Sequence, residues 1–342
     1  MVAILRSIFE NAHLNRIPIS VTMEITEVCN FRCMHCYLGN VKRVNYLSLE
    51  QAKSFIDQIT ALGCMYLTLT GGEAMLHPYF KEIYMYATSK ACIVTVFSNG
   101  SYLNDSLMNL FNRYPPRRIE ITLYGFSNKT YDIVANAKNQ FDIVLNNISH
   151  FLAHNINILL KMFVVKENLY ELDAAYHFAI KNKVPFKFDY MIIDNLASKK
   201  LLHQISSEDI EYITNKYPNK VDSDYEWGNF LDDNYSNQLF NCGAGRTTCW
   251  LKADNQLLMC NFLDNIKANL NNVSVAEAWH YFGTFLDEKL SQYSECFNCK
   301  YREYCSNCPG KSYAFTGDHT MKVINRQLCE VARITERMAN IN

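Results

Sequence analysis

The pattern of hydrophobic and polar positions alternates between two periods along the first 195 residues. Short β-branched stretches such as ISVTMEIT, residues 19–26, alternate every second residue, as strands do. Longer stretches such as SLEQAKSFIDQITALG, residues 48–63, repeat apolar residues at helical spacing and end on a glycine. Further strand patterns lie at 65–73, 92–100, 119–125, 156–165 and 185–192. Six β/α units predict a parallel sheet with right-handed crossovers, either an incomplete barrel or an open doubly wound sheet.

The rhythm of these patterns predicts how the chain divides into domains. Residues 1–18 are predicted to form a helical lead-in, and residues 19–195 hold the β/α units. Residues 196–240 turn polar and acidic, which is typical of a linker. From 241 to 342 cysteines and short hairpin patterns take over. We therefore expect a small second domain that metal stabilises in place of a large core.

Composition narrows the function classes. Acidic and basic residues nearly cancel, 34 against 33, and no basic tract stands out, which argues against a nucleic-acid partner. The chain shows neither a signal peptide nor an apolar stretch long enough for a membrane span. Thirteen cysteines cluster mainly near the two ends of the chain. Such clusters predict metal binding or chemistry in a reducing compartment, here the cytoplasm.

Three cysteines with C-x3-C-x2-C spacing follow the first predicted strand. In a parallel α/β fold the loops after the strands form the active face. Three turns come to the same face, at 71–73 (GGE), 98–100 (SNG) and 124–125 (YG). A structural zinc site would need a fourth ligand, such as His35, and would leave the glycine turns unexplained. The cysteines of the motif are Cys29, Cys33 and Cys36.

This combination of cysteine motif and Gly-Gly-Glu turn resembles the radical S-adenosylmethionine (SAM) superfamily. The resemblance implies an incomplete, TIM-like (β/α)6 barrel and a [4Fe–4S] cluster on the three thiolates. The fourth iron position would stay free for the amino and carboxylate groups of SAM. Reductive cleavage would give methionine and a 5′-deoxyadenosyl radical, which abstracts a substrate hydrogen atom.

The resemblance also implies which residues grip SAM. Glu73, beside Gly71 and Gly72, would bind the methionine ammonium, because a carboxylate suits a cation and glycines allow close approach. The further implied contacts are Ser98 and Asn99 to the ribose, the Tyr37 backbone to the adenine, Thr122 to the ribose or carboxylate, and Lys161 to the carboxylate. The alternative interpretations are that Thr122 is an ordinary strand residue and that Lys161 is a surface lysine.

Eight cysteines lie in the C-terminal part, and two zinc ribbons are the alternative interpretation of their spacing. The pattern resembles the SPASM extension, which reads C-x9–15-G-x4-C, then C-x2-C-x5-C-x3-C, then a final cysteine. This chain departs from it with Asn255 at the glycine position, where Asn suits a left-handed turn, and with a spacing one residue short between Cys305 and Cys308. The resemblance implies a nearer auxiliary [4Fe–4S] cluster on Cys242, Cys249, Cys260 and Cys308, and a distal one on Cys296, Cys299, Cys305 and Cys329. Together with the cluster that binds SAM, these make three [4Fe–4S] clusters. If cysteines bind all four irons of both auxiliary clusters, the expected role of these two clusters is electron transfer.

The expected reaction is a net oxidation that forms an intramolecular cross-link in a ribosomally made peptide. Formylglycine formation in a sulfatase is a second hypothesis, which Asn261 disfavours because an amide cannot act as the base. Asp189 and Asp264 are tentative bases instead. Oxidation or epimerisation of a sugar or another small molecule is a third hypothesis; epimerisation is disfavoured because the two remaining cysteines, Cys64 and Cys92, are predicted to lie opposite the active face. A non-catalytic iron–sulfur or zinc scaffold is the non-enzyme alternative.

The expected partners are a peptide or small protein substrate and an electron donor such as flavodoxin or ferredoxin. Only 28 residues precede Cys29, so no winged-helix recognition domain is expected before the motif. A separate peptide-recognition protein is one way to supply that function. The same observation keeps the small-molecule hypothesis open.

Overall fold

A nine-stranded sheet organises the computed structural model, which describes residues 2–39, 44–190, 205–217, 237–324 and 326–339. The spatial order of the strands is β6-β5-β4-β3-β2-β1-β7-β8-β9. The strands are β1 Ser20–Thr26, β2 Tyr66–Gly71, β3 Ile93–Ser98, β4 Arg118–Leu123, β5 Ile158–Phe163, β6 Phe186–Asp189, β7 Thr248–Leu251, β8 Gln256–Leu258 and β9 Lys267–Asn269. The helices are α1 Val2–Leu14, α2 Leu49–Ala61, α3 Phe80–Ser89, α4 Asp105–Arg113, α5 Asn128–Val134, α6 Phe141–Ala153, α7 Leu172–Lys181, α8 Ser207–Lys216, α9 Val275–Gly283, α10 Pro309–Thr316 and α11 Arg326–Ala339.

The first six strands are parallel and alternate with helices, as the two periods predict. Helix α2 shows how the sequence sets these boundaries. Ser48 caps its first turn, and Gln51 completes a capping box with the backbone of Ser48. The predicted class, an incomplete TIM-like α/β barrel, is confirmed.

Successive side chains of β1 divide between the two faces of the curved sheet. Val21, Met23 and Ile25 are fully buried in the core beneath the helices. The alternate positions Thr22 and Glu24 therefore face the concave side, which we call the inner face. The inner face carries polar groups, so it is suited to enclosing a polar ligand.

The cysteine-rich part continues this sheet. Strand β7 pairs in parallel with β1, and β8 and β9 follow as antiparallel strands. Helix α8, the described part of the predicted linker, contacts α11 through hydrogen bonds from Ser207 to Glu330 and from Arg337 to Glu211. Most of the segment 196–240 lies outside the described residues, and the predicted domain boundaries stay predictions. Within the described ranges, no helix combines the length and the apolar character that a bilayer crossing requires.

Three charged side chains form a buried array on the inner face. Arg118 Nε lies 2.8 Å from Glu120 Oε1, and Lys161 Nζ lies 3.1 Å from Glu120 Oε2. Lys161 also lies 3.5 Å from the centroid of the Phe97 ring. Burial acts to raise the pKa of Glu120, but Lys161 and Arg118 together outweigh it and hold the pKa below its usual range. Two cationic side chains thus face the single carboxylate of Glu120 on the inner face.

We predict that Glu120→Gln destabilises the fold strongly. The substitution keeps the side-chain volume but leaves two cations without their carboxylate, which typically costs about 3–5 kcal/mol in a buried pair. Asp57→Asn is the matched control, because its ion pair with Lys90 is solvent-exposed and contributes little. Guanidinium unfolding of both variants measures the difference. Equal, small losses would show that the array carries no such energy.

Candidate active site

The end of β2 packs directly against the backbone that leads into the cysteine motif. A Cβ at Gly71 would lie 2.4 Å from the Thr26 carbonyl oxygen, and a Cβ at Gly72 would lie 2.4 Å from the carbonyl oxygens of Glu27 and Val28. The N–H of Gly72 donates to Thr26 at 2.7 Å. Glycine is therefore required at both positions because no side chain fits between the β2 turn and the cysteine loop.

Glu73 lies fully buried where the ends of β2 and β3 meet. Its carboxylate accepts hydrogen bonds from Ser98 Oγ at 3.0 Å, from the N–H of Asn99 at 2.7 Å and from the N–H of Met75 at 3.3 Å. Burial raises the pKa of Glu73 to about 7, although these hydrogen bonds act to lower it. A bound ammonium group would favour the ionised carboxylate and so complete the site.

Asn99 connects the end of β3 to the cysteine loop. Its Nδ2 lies 3.8 Å from Cys29 Sγ and donates to Asn30 Oδ1 at 2.9 Å. Asn30 in turn donates to Ser101 Oγ at 2.7 Å. The structure therefore brings the SNG turn against the first cysteine of the motif.

The three thiols of the motif converge on Tyr124, which follows β4. Burial raises the pKa of Tyr124 well above its ordinary value, and Cys33, Cys29 and Cys36 add to that effect. All three cysteines are half-buried, so they stay accessible. Among the described residues, no three acidic, histidine or cysteine side chains surround a single point as one metal ion requires. A [4Fe–4S] cluster fits this donor set better, because each thiolate binds a different iron.

His35 lies on the aromatic side of the cysteine loop. Its ring centroid is 5.8 Å from that of Tyr124 and 5.6 Å from that of Phe163. The ring therefore packs among aromatic side chains. The proposed fourth zinc ligand gains no support from this position.

Glu24 is a site residue that the motifs did not reveal. It is fully buried on the inner face, accepts the Tyr37 hydroxyl at 2.6 Å and accepts the N–H of Ala253 at 3.3 Å. Burial raises the pKa of Glu24 to about 7. Because Tyr37 follows Cys36 and Ala253 lies in the β7–β8 turn, Glu24 joins the cysteine loop to the C-terminal hairpin. An acidic residue in the middle of an otherwise buried strand was the available signal.

The remaining predicted site residues lie in or after separate strands of the sheet. Thr122 and Lys161 are register neighbours on β4 and β5, and both are half-buried. The ion pair of Lys161 with Glu120 gives it a structural role, and its contact with SAM stays a prediction. Asp189 ends β6 and is exposed, while Asp264 is exposed and hydrogen-bonded to Tyr313.

The predicted distal set of cysteines comes together in the C-terminal part. Burial raises the pKa of Cys305, and its neighbours Cys329, Cys296 and Cys299 raise it further. These four thiols, with Cys242 and Cys308, line a cavity of about 480 Å³. Its volume and thiol lining fit an iron–sulfur cluster.

The predicted nearer set comes together only in part. A Cβ at Gly310 would lie 3.3 Å from Cys260 Sγ and 3.8 Å from Cys308 Sγ, so these two thiols share a tight space. Burial, together with Cys242 and Cys308, raises the pKa of Cys260 to about 12. Burial alone raises the pKa of Cys249 to about 12, without any effect of the other three thiols. Asn255 has a φ of +65°, which confirms the predicted left-handed turn.

Residues 23–179, which span β1 to α7, match the family model of the Radical SAM superfamily. These residues therefore carry a radical SAM domain on an incomplete α/β barrel, and this is the domain of an enzyme.

Its relatives include a heme synthase and a protein of bacteriocin biosynthesis. The AdoMet-dependent heme synthase of Methanosarcina barkeri is 22% identical over 88% of this chain and 94% of its own length. The subtilosin biosynthesis protein AlbA of Bacillus subtilis is 23% identical over 92% of this chain and 71% of its own. Streptococcus suis SuiB bound to its precursor peptide SuiA superposes with a TM-score of 0.70, at 14% identity, over 90% of this chain and 76% of SuiB. The shared fold thus includes the cysteine-rich part.

We predict that SAM binding to the cluster-reconstituted protein strengthens as pH rises toward 7. The pKa of Glu73 is raised to about 7, so the carboxyl is protonated below that pH and must lose its proton to pair with an ammonium. Affinity should therefore rise up to about tenfold per pH unit below pH 7 and level off above it. Equilibrium binding between pH 5.5 and 8 measures the slope.

Glu73→Gln should bind SAM weakly and without this slope, because an amide has no proton to lose. Glu24→Gln is the matched control, since Glu24 is equally buried with a pKa of about 7 but is committed to Tyr37 and Ala253. It should keep the slope. A slope that survives in Glu73→Gln would assign the titration to another group.

Proposed function

We propose that this radical SAM enzyme cleaves SAM reductively and uses the 5′-deoxyadenosyl radical to oxidise a ribosomally made peptide by forming an intramolecular cross-link. One observation carries the proposal. The cysteine motif, Cys29, Cys33 and Cys36, lies together with Glu73 and Asn99 where the parallel strands end, beside the polar inner face. When bound to these thiols, a [4Fe–4S] cluster supplies the electron that splits SAM.

The residues of the chain bind and orient SAM. Glu73 faces the methionine ammonium, and the turn at Gly71 and Gly72 holds that carboxylate at a fixed distance from the cysteine loop. Ser98 and Asn99 both hydrogen-bond to Glu73, so they lie beside the group that faces the methionine part of SAM. From there we expect them to contact the ribose. The inner face of the sheet then encloses the reacting atoms and keeps bulk water away from them.

The C-terminal cysteines give the reaction its oxidative direction. A substrate radical must lose one more electron to form a new bond, and auxiliary iron–sulfur clusters are suitable acceptors. The whole distal set and two thiols of the nearer set, Cys242 and Cys308, line the C-terminal cavity, so we propose two auxiliary clusters besides the one that binds SAM. Flavodoxin or ferredoxin serves as the reductant in the cytoplasm.

A peptide substrate is supported by two of the relatives. AlbA acts in the biosynthesis of the bacteriocin subtilosin, and SuiB has been solved with a precursor peptide. Both likenesses cover at least 90% of this chain. A separate recognition protein would present the peptide to the open end of the sheet. The exposed residues Asp189 and Asp264 stay the candidate bases.

Oxidation of a carboxylate-bearing small molecule is the second candidate function. It is favoured by the heme synthase relative, which matches this chain along nearly its whole length. The half-buried amine of Lys161, in the array formed by Arg118, Glu120 and Lys161, would also suit a carboxylate. Formylglycine formation is less favoured, because Asn261 follows Cys260 and cannot act as the base.

We predict that the anaerobically reconstituted protein releases 5′-deoxyadenosine from SAM when dithionite is added. Cys29→Ala should abolish release, because the site would lose one of its three thiolates. Cys92→Ala is the control, since this thiol is buried in the core at the start of β3, and it should keep full release. Chromatographic measurement of the nucleoside decides the point. Equal release by both variants would remove the cysteine motif from the reaction.

A second prediction concerns the substrate. Incubation with a candidate precursor peptide should lower the peptide mass by two hydrogens, because a cross-link joins two atoms and removes one hydrogen from each. The Cys29→Ala protein is the control and should leave the mass unchanged. Mass spectrometry reads the outcome. Turnover of a carboxylate-bearing small molecule with no change in any peptide would favour the second candidate.

A further inference from the structure

We propose that only three thiolates, those of Cys242, Cys260 and Cys308, hold the nearer auxiliary cluster, that Cys249 is a core residue, and that one iron is open to an external thiolate. This inference rests on the proposed function in one respect, the presence of auxiliary clusters in the C-terminal part. It replaces the expectation that Cys249 completes a set of four.

The position of Cys249 within β7 directs its side chain away from the other three thiols. In the parallel pairing of β7 with β1, Cys249 lies beside Val21. Leu251, two residues later in β7, lies beside Met23. All four side chains belong to the hydrophobic core under the helices, where Cys249 is 4% exposed. Alternate residues of a strand face opposite sides of the sheet. This thiol would therefore reach the other face only if the register of β7 shifted by one residue.

Two further thiols belong to the core as well. Cys64 and Cys92 lie just before β2 and β3, and both are buried in the same hydrophobic core as Cys249. We call these three thiols, Cys249, Cys64 and Cys92, the core thiol row. A thiol that packs in this row behaves as a small hydrophobic residue.

The three other thiols share a site built for sulfur. Cys308 caps the N-terminus of α10, and its Sγ accepts the N–H of Lys311 at 3.4 Å, an arrangement that favours a thiolate. Gly310 leaves the space between Cys308 and Cys260, which a methyl group would fill. Cys242 and Cys308 line the same cavity. Three ligands leave one corner of a four-iron cluster unfilled.

The chemistry around this corner favours an anionic sulfur donor. The turn directly after Cys242 carries buried Arg246, whose backbone N–H donates to the Gly243 carbonyl, so a positive charge is buried close to this site. Iron in such clusters prefers soft thiolate ligands. Within the described residues, every other thiol is already assigned to the SAM motif, the distal set or the core thiol row. The donor therefore comes from outside, as a substrate cysteine that loses its proton on binding, with no change of oxidation state.

The test uses full-length protein in which Cys29, Cys33 and Cys36 are all replaced by Ala, so that only auxiliary clusters remain. Added to this parent, Cys249→Ala should leave iron and sulfide content unchanged. Cys260→Ala should lower both by about half, since one of two clusters is lost. Cys64→Ala is the matched control from the core thiol row and should resemble Cys249→Ala.

A second measurement leaves Cys249 in place, so it does not depend on how that substitution folds. Adding 2-mercaptoethanol to the reduced parent should shift the electron paramagnetic resonance signal of one cluster, because the thiolate occupies the open iron. Cys260→Ala should lack this response.

The outcomes separate the two proposals. If Cys249→Ala loses iron as Cys260→Ala does, or if the thiol leaves the spectrum unchanged, the open iron is wrong while the auxiliary clusters stand. If the parent holds no iron after reconstitution, the auxiliary clusters fail and the open iron fails with them. SAM cleavage by the protein with an intact cysteine motif is unaffected by either result.

Discussion

The contact on which the site depends is the packing of two glycines against a backbone. Gly71 and Gly72 lie so close to the carbonyl oxygens of residues 26–28 that no side chain fits between them. This contact joins β1 to β2 just before the cysteine motif begins. It fixes Glu73 beside Asn99, and Asn99 beside Cys29. The distance between the ammonium site and the first thiol is thus set by backbone, the least adjustable part of the chain.

Around that contact the protein buries carboxyl groups that it leaves close to neutrality. Glu24 and Glu73 both have pKa values raised by burial to about 7, and each accepts hydrogen bonds from neighbouring donors. Glu120, by contrast, lies between Arg118 and Lys161 and stays ionised. The inner face therefore combines one ion array, in which the carboxylate of Glu120 is ionised, with two carboxyls whose charge depends on what binds near them.

The sequence could predict the strands, the helices and the chain order of the motifs, because periodicity and spacing are properties of neighbouring residues. It could also place the triad beside the GGE and SNG turns, since the ends of parallel strands meet at one edge. Glu24 and the partnership of Glu120 with Lys161 were not predictable in this way. They depend on which face of a strand a polar residue occupies and on the register of the next strand, which tertiary packing decides.

The side of the sheet on which Cys249 lies was equally unpredictable from the spacing of the cysteines. Eight C-terminal cysteines suggested two sets of four, yet the SPASM pattern that they resemble contains seven. With Asn255 in the glycine position, Cys242 has the required spacing of twelve residues, whereas only five separate Cys249 from Asn255. Counting thiols treated every cysteine as a ligand, whereas strand β7 offers its two faces to different neighbours. Since Cys249 pairs with Val21 on the core face, the sheet that gives the barrel its stability also removes one thiol from the metal site.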